Sequence, residues 1–211
     1  MTIIKLVSCQ VELGQEFKFS QGQLLWNELN HCAGFRGQFG GWVPSKQQAI
    51  IIGLWESSDA VNLFMESVHD GIYIRSDQGS TYKQCDVHYF EGVLSIPSLT
   101  NKLTQPTDPV IRIAFCRGVK DVERFLADQR EIWNEKMGHA EGMLCGYVAR
   151  SLKQHDYFIV ITQWSSKACH EHYVKTIFPL IKLAVSPSDY IESLSGCLVE
   201  EELTWKVSPN K

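Results

Sequence analysis

An internal repeat constrains the fold more than any other feature of this chain. Three pairs of positions match between the two halves: Trp26 with Trp133, Gly34 with Gly142, and Trp55 with Trp164. Their offsets are 107, 108 and 109 residues, so the register drifts by one residue from each pair to the next. A duplicated domain with single-residue loop insertions leaves this pattern, whereas chance matches do not stay in register.

The boundary between the two copies is predicted in the segment "SIPSLTNKLTQPTDP", residues 95–109. Prolines and small polar residues there interrupt one apolar pattern before "VIRIAFC" begins the next, which is typical of a linker. The sequence therefore predicts two halves, residues 1–100 and residues 106–211.

Each half shows the same order of strands and helices. Apolar runs predict strands, and apolar residues at helical spacing predict the two helices between them, so each half reads βαββαβ. Ser57 and Ser58 stand where they would cap the second helix, and Gly34 stands where the first helix would end. The last strand is predicted over "GCLVEEELTWKV", residues 196–207. Such a unit folds as a four-stranded antiparallel sheet with both helices on one face, the ferredoxin-like arrangement.

Composition and charge exclude several classes of protein. The 211 residues carry 20 Lys and Arg against 24 Asp and Glu, a net charge of −4, with no basic run of the kind that binds a phosphate backbone. The composition indicates no membrane span, and the N-terminus reads as a strand, so we expect a cytoplasmic protein that binds neither nucleic acid nor membrane. The seven cysteines form no C-x-x-C pair, which argues against a disulfide framework and a zinc ribbon.

Several stretches carry a resemblance to a known family: the glycine-rich "GFRGQFGGW", the segments "GLWES" and "FIVITQW", and "IFP" in the last helix. They resemble the antibiotic biosynthesis monooxygenase-like superfamily of dimeric α+β barrels, and they are similar to the bacterial YdbC-like proteins that carry the DUF4937 domain. The resemblance covers both halves. It implies an α+β fold in which tandem ferredoxin-like βαββαβ repeats form a dimeric-α+β-barrel-type fold within one chain, with a cavity between sheet and helices in each half.

The resemblance does not by itself name an activity, because the superfamily includes oxygenases, haem-degrading enzymes, isomerases and proteins of unknown role. We expect a small-molecule-binding protein, with a cofactor-independent monooxygenase-like enzyme as the first hypothesis. A non-catalytic ligand-binding or stress-associated protein is the alternative, and a haem-binding protein is a weaker one. A haem-degrading relative would bring an Asn from the first strand and a His after the second helix's aromatic position, and this sequence departs from both. We therefore predict no cofactor, a small-molecule ligand as partner, and a monomer or homodimer.

Two histidines are candidate catalytic bases, because the pKa of histidine lies near neutrality. His69 matches a His that the resemblance places after the second helix, and His88 lies in the following strand. The competing interpretation is a capping or surface role for His69 and a satisfied strand histidine for His88. The candidate ligand-binding residues are aromatic: Trp26, Trp55, Phe64, Trp133, Trp164 and Tyr173. A purely structural role in the core competes with ligand contact for the four tryptophans among them. No metal site is predicted at "HEHY", residues 170–173, because its histidines are two residues apart and point to different sides of a helix.

Overall fold

The computed structural model describes residues 1–44, 46–100 and 106–210, so part of the predicted linker, residues 101–105, lies outside the described residues. Contacts between Cα atoms divide the chain into two units. Unit 1 contains Met1–Glu91 and the chain from Val199 onwards, and unit 2 contains Gly92–Leu198. The predicted halves, 1–100 and 106–211, describe the duplication in the sequence and stay a prediction.

Unit 1 has the predicted order of elements. These are β1 (Thr2–Val11), α1 (Glu16–Leu24), β2 (Phe35–Val43), β3 (Gln48–Trp55), α2 (Ser58–Phe64), α3 (Asp70–Ser76) and the first part of β4 (Tyr82–Pro97). A 3-10 segment, Leu25–His31, continues α1, and a π-helical turn, Met65–His69, joins α2 to α3. β3 lies between β1 and β2 and pairs with both in antiparallel register.

The two local signals predicted in unit 1, a helix cap at Ser57 and a helix stop at Gly34, have different outcomes. The Ser57 hydroxyl accepts a hydrogen bond from the backbone N–H of Ala60 and caps α2. The stop predicted at Gly34 is wrong, because α1 ends at Leu24 and the 3-10 segment that continues it ends at His31. Gly34 lies in the turn before β2 with a φ of +74°, a left-handed conformation that glycine adopts without a steric penalty. Residues of β3 are buried in succession rather than alternately, which confirms a strand covered on both faces. Trp55 at its end is 1% exposed and stacks on Phe64.

Unit 2 repeats the order. Its elements are β5 (Val110–Val119), α4 (Val122–Asp128), α5 (Asn134–Gly138), β6 (Met143–Ser151), β7 (Phe158–Trp164), α6 (Lys167–Thr176), α7 (Phe178–Val185) and the first part of β8 (Ile191–Glu201). A π-helical turn, Gln129–Trp133, joins α4 to α5. β7 lies between β5 and β6, antiparallel to both. Gly142 has a φ of +77° and Ser166 caps α6, so both occupy the places that Gly34 and Ser57 hold in unit 1.

The predicted last strand, residues 196–207, is wrong at both ends. β8 spans Ile191–Glu201, and a 3-10 turn over Leu203–Trp205 follows it. The Glu202 carboxylate accepts a hydrogen bond from the backbone N–H of Thr204, which starts the turn. Trp205 then packs its indole 1% exposed against Phe19 and Trp42. Burial of that large ring outweighs the strand-like alternation of the sequence.

None of the helices in the described part of the chain is both long enough and apolar enough to cross a lipid bilayer.

Candidate functional site

Unit 1 contains an open cavity of about 410 Å³. Residues from all four strands of unit 1 and from its helical segments line it. The polar and ionisable residues of its lining are Lys5, Cys9, Gln23, Gln38, His69, Tyr73, Gln78, Tyr82, Cys85 and Tyr89. Its aromatic wall contains Phe19, Trp26, Trp55 and Phe64. A mainly apolar pocket with a few convergent polar groups is the usual form of a small-molecule site.

Lys5 places an ammonium group in this cavity. It stands opposite Gly53 in the pairing of β1 with β3, and the missing side chain of Gly53 leaves room beside it. Lys5 Nζ lies 5.3 Å from the centroid of the Phe64 ring and 3.5 Å from Met65 Sδ. No carboxylate among the described residues pairs with it. Burial lowers the pKa of Lys5 from 10.5 to about 8, and the nearby Cys85 thiol only partly opposes this.

His69 places a base in the same cavity. Its Nδ1 lies 2.9 Å from the Asp70 carboxylate, and because a carboxylate only accepts, Nδ1 carries the proton and Nε2 is the basic nitrogen. The ring is stacked on Tyr73 at 9° between planes and contacts Trp26 and Phe64. The side chain is 20% exposed. His69 ends the π-helical turn, a kind of turn that occurs frequently at functional sites.

A buried amide orients one aromatic wall of the cavity. Gln78 is 5% exposed, and its Nε2 donates to the backbone oxygen of Phe19 at 3.0 Å and to Gln23 Oε1 at 3.1 Å. Its Oε1 accepts from Trp26 Nε1 at 2.5 Å. These three bonds hold the Trp26 indole in one orientation beside His69.

Two thiols lie close together on the strand side of the cavity. Cys9 Sγ, from β1, is 2.8 Å from Cys85 Sγ, from β4. This hydrogen bond lowers the pKa of Cys85 and raises that of Cys9, so Cys85 has the greater thiolate character. Burial, more than any other cause, raises the pKa of the neighbouring Tyr82, so the Tyr82 hydroxyl stays neutral.

The structure does not bring the two candidate bases together. Cys85, Val87 and Tyr89 of β4 line the cavity, and strand alternation turns His88 to the other face. His88 is exposed, and its ring contacts Phe90. Its catalytic role stays a prediction that the geometry of this cavity does not support.

Unit 2 encloses its own cavity, of about 320 Å³. The six aromatic residues predicted to bind ligand divide between the two cavities. Trp26, Trp55 and Phe64 line the cavity of unit 1, and Trp133, Trp164 and Tyr173 line that of unit 2. Their contact with a ligand stays a prediction.

The repeat extends to the polar lining, which sequence reasoning missed. In β1, Lys5 lies two residues after the residue that pairs with Trp55 across the sheet. In β5, Arg112 lies two residues after the residue that pairs with Trp164. Gln23 and Gln129 lie one turn before Trp26 and Trp133, and both are buried. The signal was present, because Lys5 and Arg112 are cations inside apolar strands at the same offset, 107 residues, as the tryptophan pair.

Comparison with known proteins gives the family. The family model described as a domain of unknown function, DUF4937, matches residues 3–90. Uncharacterized protein YdbC of Bacillus subtilis (strain 168) is 35% identical over 92 residues, which cover 42% of this chain and 77% of YdbC. The chain belongs to the DUF4937 family.

Solved structures of similar fold cover nearly the whole chain. A proposed monooxygenase of Lactobacillus acidophilus NCFM has a TM-score of 0.72 at 14% identity, over 98% of this chain and 96% of its own. A proposed monooxygenase of Fusobacterium nucleatum has a TM-score of 0.74 at 10% identity, over 95% and 92%. An anthrone oxidase-like protein has a TM-score of 0.71 at 10% identity, over 100% and 94%. At these identities the likeness shows the fold alone, and it confirms the predicted α+β fold class.

The weaker alternative, a haem-binding protein, stays a prediction. Within the described ranges, no group of three or more His, Cys, Asp or Glu side chains is placed to hold a metal ion.

Proposed function

We propose that the unit 1 cavity binds an aromatic molecule with an enolisable carbonyl or an acidic hydroxyl and oxidises it with molecular oxygen, without a cofactor. One observation carries this proposal. A base, His69, and an ammonium without a carboxylate partner, Lys5, face one cavity and contact the same ring, Phe64, at 5.6 Å and 5.3 Å from its centroid. A base beside a cation is what formation of an organic anion requires.

The proposed reaction begins with a proton transfer. His69 Nε2 removes a proton from an activated CH₂ group, and the Lys5 ammonium stabilises the enolate oxygen. The enolate carbon gives one electron to O₂, and the resulting radical and superoxide combine to a peroxide anion. His69 returns its proton to that peroxide, which loses water and leaves a ketone. The balance is R₂CH₂ + O₂ → R₂C=O + H₂O, with the oxygen molecule as the oxidant.

The lining of the cavity favours the anion over its protonated form. Aromatic rings form much of the lining, so the attraction between the Lys5 ammonium and an enolate is screened less than in solution. Because the pKa of Lys5 is about 8, its amine is mostly charged at neutral pH. Neutral pH is also close enough to this pKa for the amine to exchange a proton. A flat aromatic ligand would contact Trp26 and Trp55 on the same wall.

Anthrone is the test substrate, because its CH₂ group is enolisable and one structural neighbour is named an anthrone oxidase-like protein. The assay follows oxygen uptake and anthraquinone formation with metal-free protein. We expect turnover by the natural protein and a loss of about 100-fold or more in kcat for His69→Gln. His88→Gln separates the two predicted bases and is expected to keep its kcat, and His155→Gln, an exposed loop histidine, is the matched control.

Two results would count against this function. Equal turnover by the natural protein and His69→Gln would remove the base from the mechanism. Binding of anthrone without oxygen uptake at any pH between 6 and 9 would favour the alternative, a non-catalytic ligand-binding protein.

A further inference from the structure

The cavity of unit 2 contains polar atoms that have no partner in the described part of the chain. They are Gln129 Oε1, His170 Nδ1 and Tyr173 OH. The three residues are 6%, 7% and 5% exposed. Buried polar groups are almost always hydrogen-bonded, and leaving one unpaired costs folding free energy. Three such groups among the residues that line one cavity indicate that something else completes them.

The same cavity contains a cation without a counter-ion. Arg112 Nη1 donates to the backbone oxygens of Ile113 and Cys197, the second at 3.0 Å, and no carboxylate of a described residue lies beside the guanidinium. Burial lowers the pKa of Arg112, but arginine stays charged at neutral pH. Arg112 therefore offers a positive charge to an apolar space, from the position that Lys5 holds in unit 1.

We propose that the unit 2 cavity is a second binding site, for an aromatic carboxylate that also carries a hydroxyl or N–H donor. The remaining guanidinium N–H groups of Arg112 match a carboxylate. Gln129 Oε1 can only accept, so it calls for a donor on the ligand. Tyr173 OH can donate to a ligand oxygen. Trp133, Trp164 and Phe178 supply the apolar contact for a ring.

This site is a binding site without the catalytic base of unit 1. Phe178 takes the repeat position of His69, at the offset of 109 that relates Trp55 to Trp164. Burial lowers the pKa of His170 to about 4, so this imidazole is neutral at pH 7 and a weak base. The proposal stands on the unit 2 residues alone and does not depend on the oxidation proposed for unit 1.

The test is isothermal titration calorimetry of the full chain with 6-hydroxy-2-naphthoate, which has a carboxylate, a hydroxyl and a flat apolar body. Arg112→Met is expected to weaken one binding event about tenfold or more. Tyr173→Phe removes only the hydroxyl and is expected to weaken it several-fold. Lys5→Met, at the repeat-equivalent position, is the matched control and is expected to leave this event unchanged.

Ligand analogues identify which group is recognised. 2-Naphthoate lacks the hydroxyl, and it should bind the natural protein more weakly than the probe, while both should bind Gln129→Leu equally. 2-Naphthol lacks the carboxylate, and its affinity should not change in Arg112→Met. Melting temperatures without ligand separate binding from structure: Tyr173→Phe should melt no lower than the natural protein, because it loses only an unpaired buried hydroxyl.

Three results would overturn the proposal. The first is no binding of the probe to the natural protein. The second is identical isotherms for the natural protein, Arg112→Met and Tyr173→Phe. The third is loss of binding in Lys5→Met alone, which would place the probe in unit 1 and leave the function proposed there standing. If Arg112→Met does not fold, Tyr173→Phe and the Gln129→Leu analogue comparison still decide.

Discussion

Replacing Lys5 with Met removes an ammonium group that folding buries without a carboxylate partner. The pKa of Lys5 falls from 10.5 to about 8 on folding. Since each unit of pKa corresponds to about 1.4 kcal/mol, burial of the charged form opposes folding by up to about 3 kcal/mol at pH 7. Lys5→Met should therefore raise the free energy of unfolding by up to about 3 kcal/mol at that pH. A functional residue that destabilises its own fold is common in binding sites.

The pH dependence distinguishes this explanation from better packing of Met. Between pH 8 and 10.5 the unfolded chain binds more protons at Lys5 than the folded chain does, so the stability of the natural protein rises with pH in that window. The full penalty is present below pH 8 and disappears as the pH passes 10.5. The advantage of Lys5→Met should accordingly shrink to about 1.4 kcal/mol at pH 9.5.

Urea denaturation at pH 7 and pH 9.5 measures both quantities. Lys83→Met is the matched control, because Lys83 is an exposed lysine on a strand, and it should change stability by less than about 0.5 kcal/mol at either pH. A Lys5→Met protein that is less stable than the natural one, or whose advantage is the same at both pH values, would refute the reasoning.

Other features give separate predictions. His170, with its pKa lowered to about 4 from 6.5, makes the natural protein lose up to about 3 kcal/mol of stability as the pH falls from 6.5 to 4, and His170→Phe should flatten that decline in acid denaturation curves. Treatment with diamide should join Cys9 and Cys85, seen as the loss of two hydrogen atoms in intact mass spectrometry, and a Cys9→Ser protein should keep its mass. Gly142→Ala should destabilise the fold by more than about 2 kcal/mol, because the new Cβ would clash with Cys169 and the residue has a positive φ. Gly14→Ala, with a similar φ but open space around it, should lower the stability by only about 1 kcal/mol. Equal losses of stability in thermal denaturation would contradict this.

The parts of the fold that depend on local signals were predictable. Gly34 and Gly142 both adopt a positive φ in the turn before a strand, and Ser57 caps α2 because its hydroxyl reaches a free backbone N–H. The two glycines also match each other in the sequence repeat, so a signal found in one half supports the same assignment in the other. Trp205 was not predictable, because its turn depends on contact with Phe19, which is far away in the sequence.

The candidate site was only partly predictable from the sequence. Aromatic residues at repeat positions were found, and all of them line a cavity. Lys5 and Arg112 were missed because one cation in an apolar strand looks like a solvent-facing residue until the register places it opposite Gly53 or Thr162. Strand alternation predicts that His88 and Phe90 lie on the same face of β4, but it does not predict which face of β4 lines the cavity.

The most direct test of the central claim is the ultraviolet spectrum of anthrone mixed with the protein in the absence of oxygen at pH 7. If His69 removes a proton and Lys5 stabilises the anion, the bound molecule should show the absorbance of its enolate, and His69→Gln and Lys5→Met should both lose that signal. A bound spectrum of neutral anthrone, or an enolate signal that both variants retain, would contradict the account.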